Sequence, residues 1–481
     1  MPGHEPARYD LVVATHLLPI TDSPDRTVAW HHRAEGIFGA VPEVADGNVA
    51  FLGAPSGRSL HRPTAVGRAW LHPAHLPAPA RAGFLTGHCA QSLAPTFHGI
   101  GRPTFRRPWA EAYQQANEVF AHHIAELAAP SATVWLHDYH LLLAATPLRS
   151  LRPDLHIGIQ LHSPFPPPEL LMRLPDRDQL IAALADTDLI AVAHPRSADN
   201  LSAAMAGTPH DQPPTRVIPL GIDDAGIRTL ADDPAIRNDA TRMRAAFGHN
   251  PTTFLSMGRL DAAQGILQRL DAFDALLATG RLDPARTVLA QILTASDRTD
   301  DAVQLRTRIE QTIARINGRH GNVGRPVVHY QYRSVDMRET VALYLAADVL
   351  LATPLASGTD LTAQEFVAAR TDNTGRLVLS ELNPTSAQLP EAYKVNPHDV
   401  ETTIATMATA AAHAHTASQA IAAMRERVAH NDAAHQTRQF LTAVRNPLEV
   451  TSVRPVRRHG VDAELVSHSH RTQAPTPVVP T

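Results

Sequence analysis

Residues 133–162 have the sequence TVWLHDYHLLLAATPLRSLRPDLHIGIQLH. The stretch holds two nearly uninterrupted apolar runs, TVWL from Thr133 and IGIQL from Ile157, and a helical period separates them. Short apolar runs without polar alternation are typical of strands buried on both faces, as parallel strands are. The stretch therefore predicts a strand, helix and strand belonging to a parallel sheet.

The same alternation continues on both sides of this stretch. Further apolar runs start at Leu11, Asp188, Arg216, Thr253, Thr287, Val327, Asp348 and Arg376, with helical segments such as 302–316 and 361–370 between them. We predict an α/β chain of two doubly wound, Rossmann-like domains, 1–224 and 225–445. Residues 60–82 are expected to form an irregular surface connection, 400–444 to be helical, and 446–481 to be a disordered tail.

Composition excludes several classes of protein. The 481 residues suffice for two or three domains, and 43 Lys+Arg against 47 Asp+Glu leave no basic excess of the kind that nucleic-acid binding needs. No uncharged apolar stretch reaches the roughly 18 residues of a membrane span, so we expect a soluble protein. Cys89 is the only cysteine, which fits a cytoplasmic protein, and the N-terminal apolar run is interpreted as a strand and not a signal peptide. Lys394 is the only lysine.

Polar residues follow several of the predicted strands. In open α/β sheets ligands bind at the carboxyl ends of the strands, so these residues are the candidates for a site. They are His137, Asp138 and His140 after TVWL, His162 after IGIQL, Arg259 and Asp261 in SMGRLD, and Glu365 beyond the loop 353–360. From position alone, Asp138 could equally cap a helix and His162 could be a core histidine. A metal site is not favoured, since no third ligand accompanies His137 and His140.

The loop 353–360 has the composition of an anion site. A loop of small residues that enters a helix offers unpaired backbone N–H groups and the positive end of the helix dipole. Arg259, at a neighbouring strand end, could add a fixed cation with two-pronged geometry. Together these features predict a nucleotide-diphosphate site, although such a loop is more often a simple turn.

The motifs in their order resemble a known family. WLHDYHLLL, LHSPFPPPELLMRLP, RLDAAQGI and ATPLASGTDLTAQEFVAAR are similar to the motifs of glycosyltransferase family 20, the trehalose-6-phosphate synthases, over roughly residues 9–445. The resemblance implies a GT-B fold with the site between two domains and a C-terminal helix returning to the first. It implies transfer of glucose from a nucleotide diphosphate sugar (UDP-, GDP- or ADP-glucose) to glucose 6-phosphate, with retention, without metal or cofactor. The implied partners are small sugars and neither nucleic acid nor membrane, and a homo-oligomer stays open.

The resemblance also implies roles for individual residues. His162 would contact the donor sugar, Arg259 would steady the diphosphate and Asp138 would bind acceptor hydroxyls, and these three are the expected catalytic residues. The implied donor residues are Arg259, Gln264, Gly36, Ser357, Gly358, Thr359, Asp360, Leu361, Thr362, Ala363, Gln364 and Glu365, the last holding the ribose. The implied acceptor residues are His16, Leu85, Ala94, Asp138 and Arg298.

The sequence departs from the family pattern at several of these positions. Gln264 stands for a lysine beside the diphosphate, Thr15-His16 for an Asn-Arg pair that grips the acceptor phosphate, Leu85 for a tyrosine, Ala94 for a tryptophan, Glu35-Gly36 for Gly-Gly, and residues 356–360 for Arg-Asp-Gly-Met-Asn. We therefore predict a weakened phosphate-acceptor pocket. Three interpretations stay open. The first is an active family-20-type glycosyltransferase that uses a sugar or sugar-phosphate acceptor, either glucose 6-phosphate or a different one. The second is a pseudo-glycosyltransferase of secondary metabolism, and the third is a non-catalytic paralogue that binds nucleotide sugar or regulates an active synthase.

Overall fold

In a computed structural model, residues 5–22, 28–30, 38–55, 60–248, 251–294, 300–357 and 360–447 are described. They form two large sheets flanked by helices, which confirms the predicted α/β class. Within these ranges no helix is long and apolar enough to cross a membrane.

The first sheet is parallel except at one edge. Its strands are β1 Tyr9–Leu17, β4 Val49–Ala54, β5 Thr64–Val66, β6 Ala69–Pro73, β7 Ala128–His137, β8 His156–Leu161, β9 Leu189–Val192 and β10 Thr215–Val217. They run in the order β10-β9-β8-β7-β1-β4-β6-β5, and only β5 pairs antiparallel. A separate two-stranded ribbon pairs β2 Ile20–Asp22 with β3 Val28–Trp30.

The second sheet is parallel throughout. Its strands are β11 Thr252–Arg259, β12 Thr287–Thr294, β13 Val328–Tyr332, β14 Val349–Ala352, β15 Arg376–Ser380 and β16 Tyr393–Val395. They run in the order β13-β12-β11-β14-β15-β16, with every neighbouring pair parallel. In chain order this is 3-2-1-4-5-6, the arrangement of dinucleotide-binding sheets. The winding direction therefore reverses between β11 and β14.

Helices cover both faces of each sheet. Around the first sheet they are Val41–Val44, Ala78–Arg81, the π-helix Ala82–Leu93, Ala94–His98, Arg107–Leu127, Tyr139–Ala144 (3₁₀), Ala145–Leu151, Pro168–Leu171, Arg177–Ala185 and Pro195–Met205. Those that follow are Asp224–Asp232, Pro234–Phe247, Ala262–Gln264 (3₁₀), Ile266–Ala278, Pro284–Arg286 (3₁₀), Asp300–His320, Met337–Ala346, Thr362–Ala369, Thr385–Gln388, Val400–His413, Gln419–His430 and Ala433–Arg445.

Every apolar run named above contributes to a strand, but the segment 60–82 was predicted wrongly. It contains β5, β6 and the helix Ala78–Arg81, and β6 pairs parallel with β4 while burying Ala69 and Leu71. The apolar runs of the two strands, 65–66 and 69–71, are only two and three residues long and end at Gly67 and His72, so the local sequence pattern was too weak to predict strands. Residues 448–481 lie outside the described ranges, and the domain boundary at 224/225 stays a prediction.

The helix Ala433–Arg445 packs against the first sheet, far from it in sequence. The Phe440 ring stacks on Trp135 of β7, with ring centroids 4.1 Å apart and planes 11° apart. Gly158 of β8 makes room for it, since a Cβ there would lie 2.6 Å from the Phe440 ring. The helix begins beside the segment that follows β10, the last strand of this sheet. There the Ala433 backbone N–H donates to the Ile222 carbonyl over 2.9 Å.

Gly221 lies where the chain returns to the first sheet, beside Asp432 and Ala433, and of the glycines there it should tolerate substitution least. A Cβ at Gly221 would lie 2.6 Å from the Ala433 nitrogen and would overlap the Asp432 backbone. We expect Gly221→Ala to lower the free energy of unfolding by about 3 kcal/mol, because rigid backbone and not a flexible side chain must move. Chemical denaturation measures the change. Gly318→Ala is the matched control: Gly318 lies in the helix Asp300–His320 with no heavy atom within 4 Å of an added Cβ, and the change should raise stability by about 0.5 to 1 kcal/mol. Equal stability of the two variants would contradict the expectation.

Candidate functional site

Strand order brings the predicted polar residues together. β7 and β8 lie on one side of β1 and β4 on the other, so the winding direction reverses between β1 and β7. His16 lies near the carboxyl end of β1, His137 ends β7, and His162 directly follows β8. In the second sheet the corresponding crevice lies between β11, which ends at Arg259, and β14, which precedes the loop 353–360. Crevices of this kind are where open α/β sheets bind ligands.

A hydrogen bond joins two of the histidines. His137 Nδ1 lies 2.7 Å from His162 Nε2, with one nitrogen donating and the other accepting, and the ring planes differ by 9°. His137 is buried against the rings of Trp135 and Phe38, each with its centroid 4.9 Å away. His162 is thus oriented by His137, which packing holds in place. A histidine that only fills the core would not show this arrangement.

The other two histidines are stacked. The His16 ring lies on the His140 ring with centroids 3.7 Å apart and planes 10° apart, and Tyr139 lies 4.3 Å from His140 on the basis of ring centroids. This contact joins the end of β1 to the turn after β7. The sequence could not indicate it, since 124 residues separate the two histidines and only the strand order makes them neighbours.

Asp138 has a strained backbone and an anchored carboxylate. Its φ of 62° with ψ of 176° lies in a region that is almost confined to glycine, and such strain is concentrated at functional sites. The carboxylate accepts hydrogen bonds from the Ser163 backbone N–H at 3.1 Å and from its hydroxyl at 3.2 Å. The side chain does not cap the turn Tyr139–Ala144, so the capping interpretation is wrong. Ser163 is a supporting residue that sequence reasoning missed.

The histidines of the crevice are neutral at pH 7. Burial lowers the pKa of His16 to about 4 and holds the pKa values of His137 and His140 well below the usual range, because a charged ring would lose its hydration. The pKa of His162 is lowered for the same reason, and the Asp138 carboxylate opposes the shift. The Asp138 carboxylate therefore acts on the uncharged rings of His16 and His162, and one of its oxygens lies 3.8 Å from His140 Nδ1.

Arg259 brings positive charge to this cluster from the second sheet. Its guanidinium repels the protonated forms of His16 and His140, lowering both pKa values, so its field reaches across the crevice. The side chain is 65% exposed, and Nη2 lies 3.4 Å from an Asp261 carboxylate oxygen. Such an exposed and weakly paired arginine is free to turn toward an anionic ligand.

The two loops of the second sheet support each other. Backbone N–H groups of Leu355 and Ala356 donate to the Ala263 carbonyl over 2.8 and 3.3 Å. Gln264 follows Ala263, and its Oε1 lies 3.2 Å from where a Cβ of Gly258 would be, so its side chain lies beside the end of β11. Ser357 is buried. The loop that was predicted to hold a diphosphate is thus fixed to the residue next to Gln264.

The helix Thr362–Ala369 begins directly after this loop. An Asp360 carboxylate oxygen accepts the Thr362 backbone N–H at 3.0 Å. Glu365 is 2% exposed, and its Oε2 accepts the Tyr344 hydroxyl at 2.6 Å. Gln364 Nε2 donates to the Leu220 carbonyl at 3.2 Å. The side chains of this first turn, Thr362, Ala363, Gln364 and Glu365, are all buried, while Leu361 is half-buried.

The remaining predicted residues divide into two groups. Leu85 is half-buried in the π-helix Ala82–Leu93, and Ala94 starts the next helix, so both contribute apolar surface only. Gly36, Gly358, Thr359 and Arg298 lie outside the described residues, as does Glu35. Among the residues that are described, no group of three or more His, Cys, Asp and Glu side chains could hold a metal ion.

Comparison with known proteins identifies relatives of the whole arrangement. A family model described as glycosyltransferase family 20 matches residues 62–446. The chain is 36% identical over 428 residues to a trehalose-6-phosphate synthase of Mycolicibacterium smegmatis, covering 83% of this chain and 85% of that protein. It is 37% identical over 433 residues to the protein of the same name from Mycobacterium avium, covering 83% and 88%. A solved structure described as trehalose-6-phosphate from E. coli bound with UDP-2-fluoro glucose matches with a TM-score of 0.79 and 26% identity, over 90% of this chain and 98% of that one. These likenesses confirm the predicted GT-B fold.

The low pKa of the half-buried His16 should make folding stability depend on pH. Between about pH 6.5, the usual pKa of histidine, and pH 4, the pKa of His16 in the folded chain, His16 is protonated in the unfolded chain but not in the folded one. The free energy of unfolding must therefore fall as the pH falls through that range. His16→Phe keeps a ring on His140 but cannot be protonated. We expect its stability, measured by chemical denaturation, to fall less than that of the wild type between pH 6.5 and 4. Measurements at pH 7.5 give the baseline cost of the substitution, and identical slopes would contradict the expectation.

Proposed function

The chain belongs to glycosyltransferase family 20, and on that premise we propose that it moves a sugar from a nucleotide diphosphate donor, with retention, to an acceptor that carries no phosphate. It is a glycosyltransferase of the trehalose-6-phosphate synthase type. The observation that carries the proposal is Arg259: its charge acts on His16 and His140 across the crevice, so donor and acceptor groups meet there.

The donor side has the chemistry that a diphosphate needs. Arg259 offers an exposed guanidinium suited to two phosphate oxygens. The helix Thr362–Ala369 starts beyond the small-residue loop, which directs backbone N–H groups and the positive dipole end toward the same crevice. The similar E. coli protein was solved with UDP-2-fluoro glucose, which supports a nucleotide sugar here. Glu365, held by Tyr344, would meet the ribose.

The transfer itself would depend on leaving-group stabilisation. The anomeric carbon–phosphate oxygen bond breaks and a bond to an acceptor oxygen forms, so negative charge grows on the diphosphate beside Arg259. His162, fixed by His137, would donate or accept a hydrogen bond at the donor sugar. Asp138 would accept one from an acceptor hydroxyl. His16, with a pKa of about 4, is a weak base at neutral pH, so the acceptor proton would pass to the departing phosphate oxygen.

The predicted acceptor residues that the structure describes favour an uncharged sugar, while Arg298 lies outside the described ranges. His16 is neutral at pH 7, Leu85 and Ala94 are apolar, and the Asp138 carboxylate adds negative charge. A phosphate near these residues would be repelled by Asp138 and would gain no cation from His16, Leu85 or Ala94. These observations support the weakened phosphate-acceptor pocket that the sequence departures predict.

Nucleotide binding tests the donor half of the proposal. We expect UDP, GDP or ADP to bind the wild type in titration calorimetry, and Arg259→Gln to weaken that binding about tenfold, since a charged hydrogen bond is replaced by a neutral one. Mass spectrometry of mixtures of UDP-, GDP- and ADP-glucose with a panel of sugars then identifies the product. Binding without any product would favour a non-catalytic paralogue, and no binding of any nucleotide would contradict the donor site.

Acceptor preference tests the other half. We expect kcat/KM for glucose 6-phosphate to be no higher than for glucose, because His16 gives the phosphate no charge. His16→Arg should raise the value for glucose 6-phosphate about tenfold, with glucose nearly unchanged. Product formation is followed by mass spectrometry. Efficient use of glucose 6-phosphate by the wild type would contradict the proposed acceptor class.

A further inference from the structure

An arginine that is remote from the exposed crevice lies beneath both donor loops. Arg269, in the first turn of the helix Ile266–Ala278, is 4% exposed. One guanidinium nitrogen donates to the Leu351 carbonyl near the end of β14 at 2.8 Å, and another donates to the Gln264 carbonyl. The guanidinium therefore bridges the two strand ends between which the winding direction reverses.

This cation has no close counter-ion among the described residues. No carboxylate of the described ranges lies within 4 Å of it, and its Nε is buried without a hydrogen-bond partner. The carboxylate of Asp360 attracts it electrostatically, but it accepts its hydrogen bonds from Thr362 N–H and from Asn383 Nδ2. Burial lowers the pKa of Arg269 to about 10, so the guanidinium remains charged at neutral pH.

Two other arginines of this half are buried within the described ranges. Arg370 lies 3.2 Å from an Asp372 oxygen, whereas Arg376 donates to the Gly375 and Thr416 carbonyls and to the Thr416 hydroxyl. Arg269 differs from both in its Nε, which is buried without a hydrogen-bond partner. A buried charge without such a partner is unfavourable unless an anion binds near it. The anion expected at this position is the one that the loops Ala262–Gln264 and 353–357 would receive.

We propose that Arg269 is a further residue of the donor site, supplying from beneath the loops the fixed positive charge for the diphosphate that the Gln264 side chain lacks. The proposal rests on the proposed nucleotide-sugar function. Arg269 acts as a positioning and electrostatic residue: it holds the Gln264 carbonyl, and therefore the turn after β11, and its field reaches the phosphates through protein. That field is screened by salt far less than the field of the exposed Arg259.

The test compares ligands that differ only in the diphosphate. Titration calorimetry measures UDP against uridine, and GDP against guanosine, on the wild type, Arg269→Gln and Arg269→Lys. Arg269→Gln should weaken nucleoside diphosphate binding about tenfold while leaving the nucleoside within about twofold. Arg269→Lys keeps the charge and should retain most of the preference for the diphosphate. Arg370→Gln is the matched control, a buried arginine that also binds backbone carbonyls, and should change both ligands alike.

The outcomes separate this inference from the proposed function. Equal loss of nucleoside and nucleoside diphosphate binding in Arg269→Gln would overturn the role of Arg269 and leave the donor site standing. Failure of the wild type to bind any nucleoside diphosphate would overturn both. A measurement on the wild type avoids the risk that a variant misfolds. At 1 M salt the Debye length is about 3 Å, and the preference of the protein for UDP over uridine should persist. Complete loss of that preference would overturn the inference.

Discussion

Parallel strands expose their carboxyl ends along one edge of a sheet, and neighbouring loops part only where the winding direction reverses. This constraint governs the molecule twice. Between β1 and β7 it brings His16 beside His140 and Asp138, and between β11 and β14 it brings Arg259 beside the loop 353–360. Every polar group that the proposed reaction uses lies at one of these two reversals. The helices and core clusters serve to hold the two edges in position.

The crevice distributes charge unevenly between its two sides. The first sheet contributes uncharged histidines and the Asp138 carboxylate, while the second contributes Arg259 and, beneath the loops, Arg269. A ligand with an anionic end and a neutral end fits this asymmetry in one orientation only. The scarcity of lysine in the sequence matters at one position, residue 264, where the family has a lysine and this chain has glutamine. The Gln264 carbonyl accepts a hydrogen bond from Arg269, so the positive charge that we propose for the diphosphate lies beneath the loop 262–264.

Sequence reasoning predicted ten of the fourteen strands of the two described sheets and placed most of the crevice residues at strand ends, because buried parallel strands and the polar groups at their ends are local features. It missed β4, β5, β6 and β16, and it wrongly predicted an irregular connection at 60–82, because β6 has only a short apolar run and takes its structure from pairing with β4 and β5. It also missed Ser163, Tyr344 and Arg269, whose importance comes from what they contact: an Asp138 oxygen, a Glu365 oxygen and two carbonyls of separate loops. Such contacts follow from strand order, which no local pattern encodes.

The stacking of Phe440 on Trp135 has a consequence for how the chain is made. The ribosome releases β7 and β8 about 300 residues before the helix that covers them, so the surface around Trp135 and Gly158 has no cover while the second sheet is still being synthesised. An aromatic surface left open for that long is a natural target for chaperones. It also makes the nascent chain sensitive to premature termination: a product that ends before residue 433 contains the strands of both sheets but lacks the Phe440 ring that packs on Trp135, the neighbour of His137.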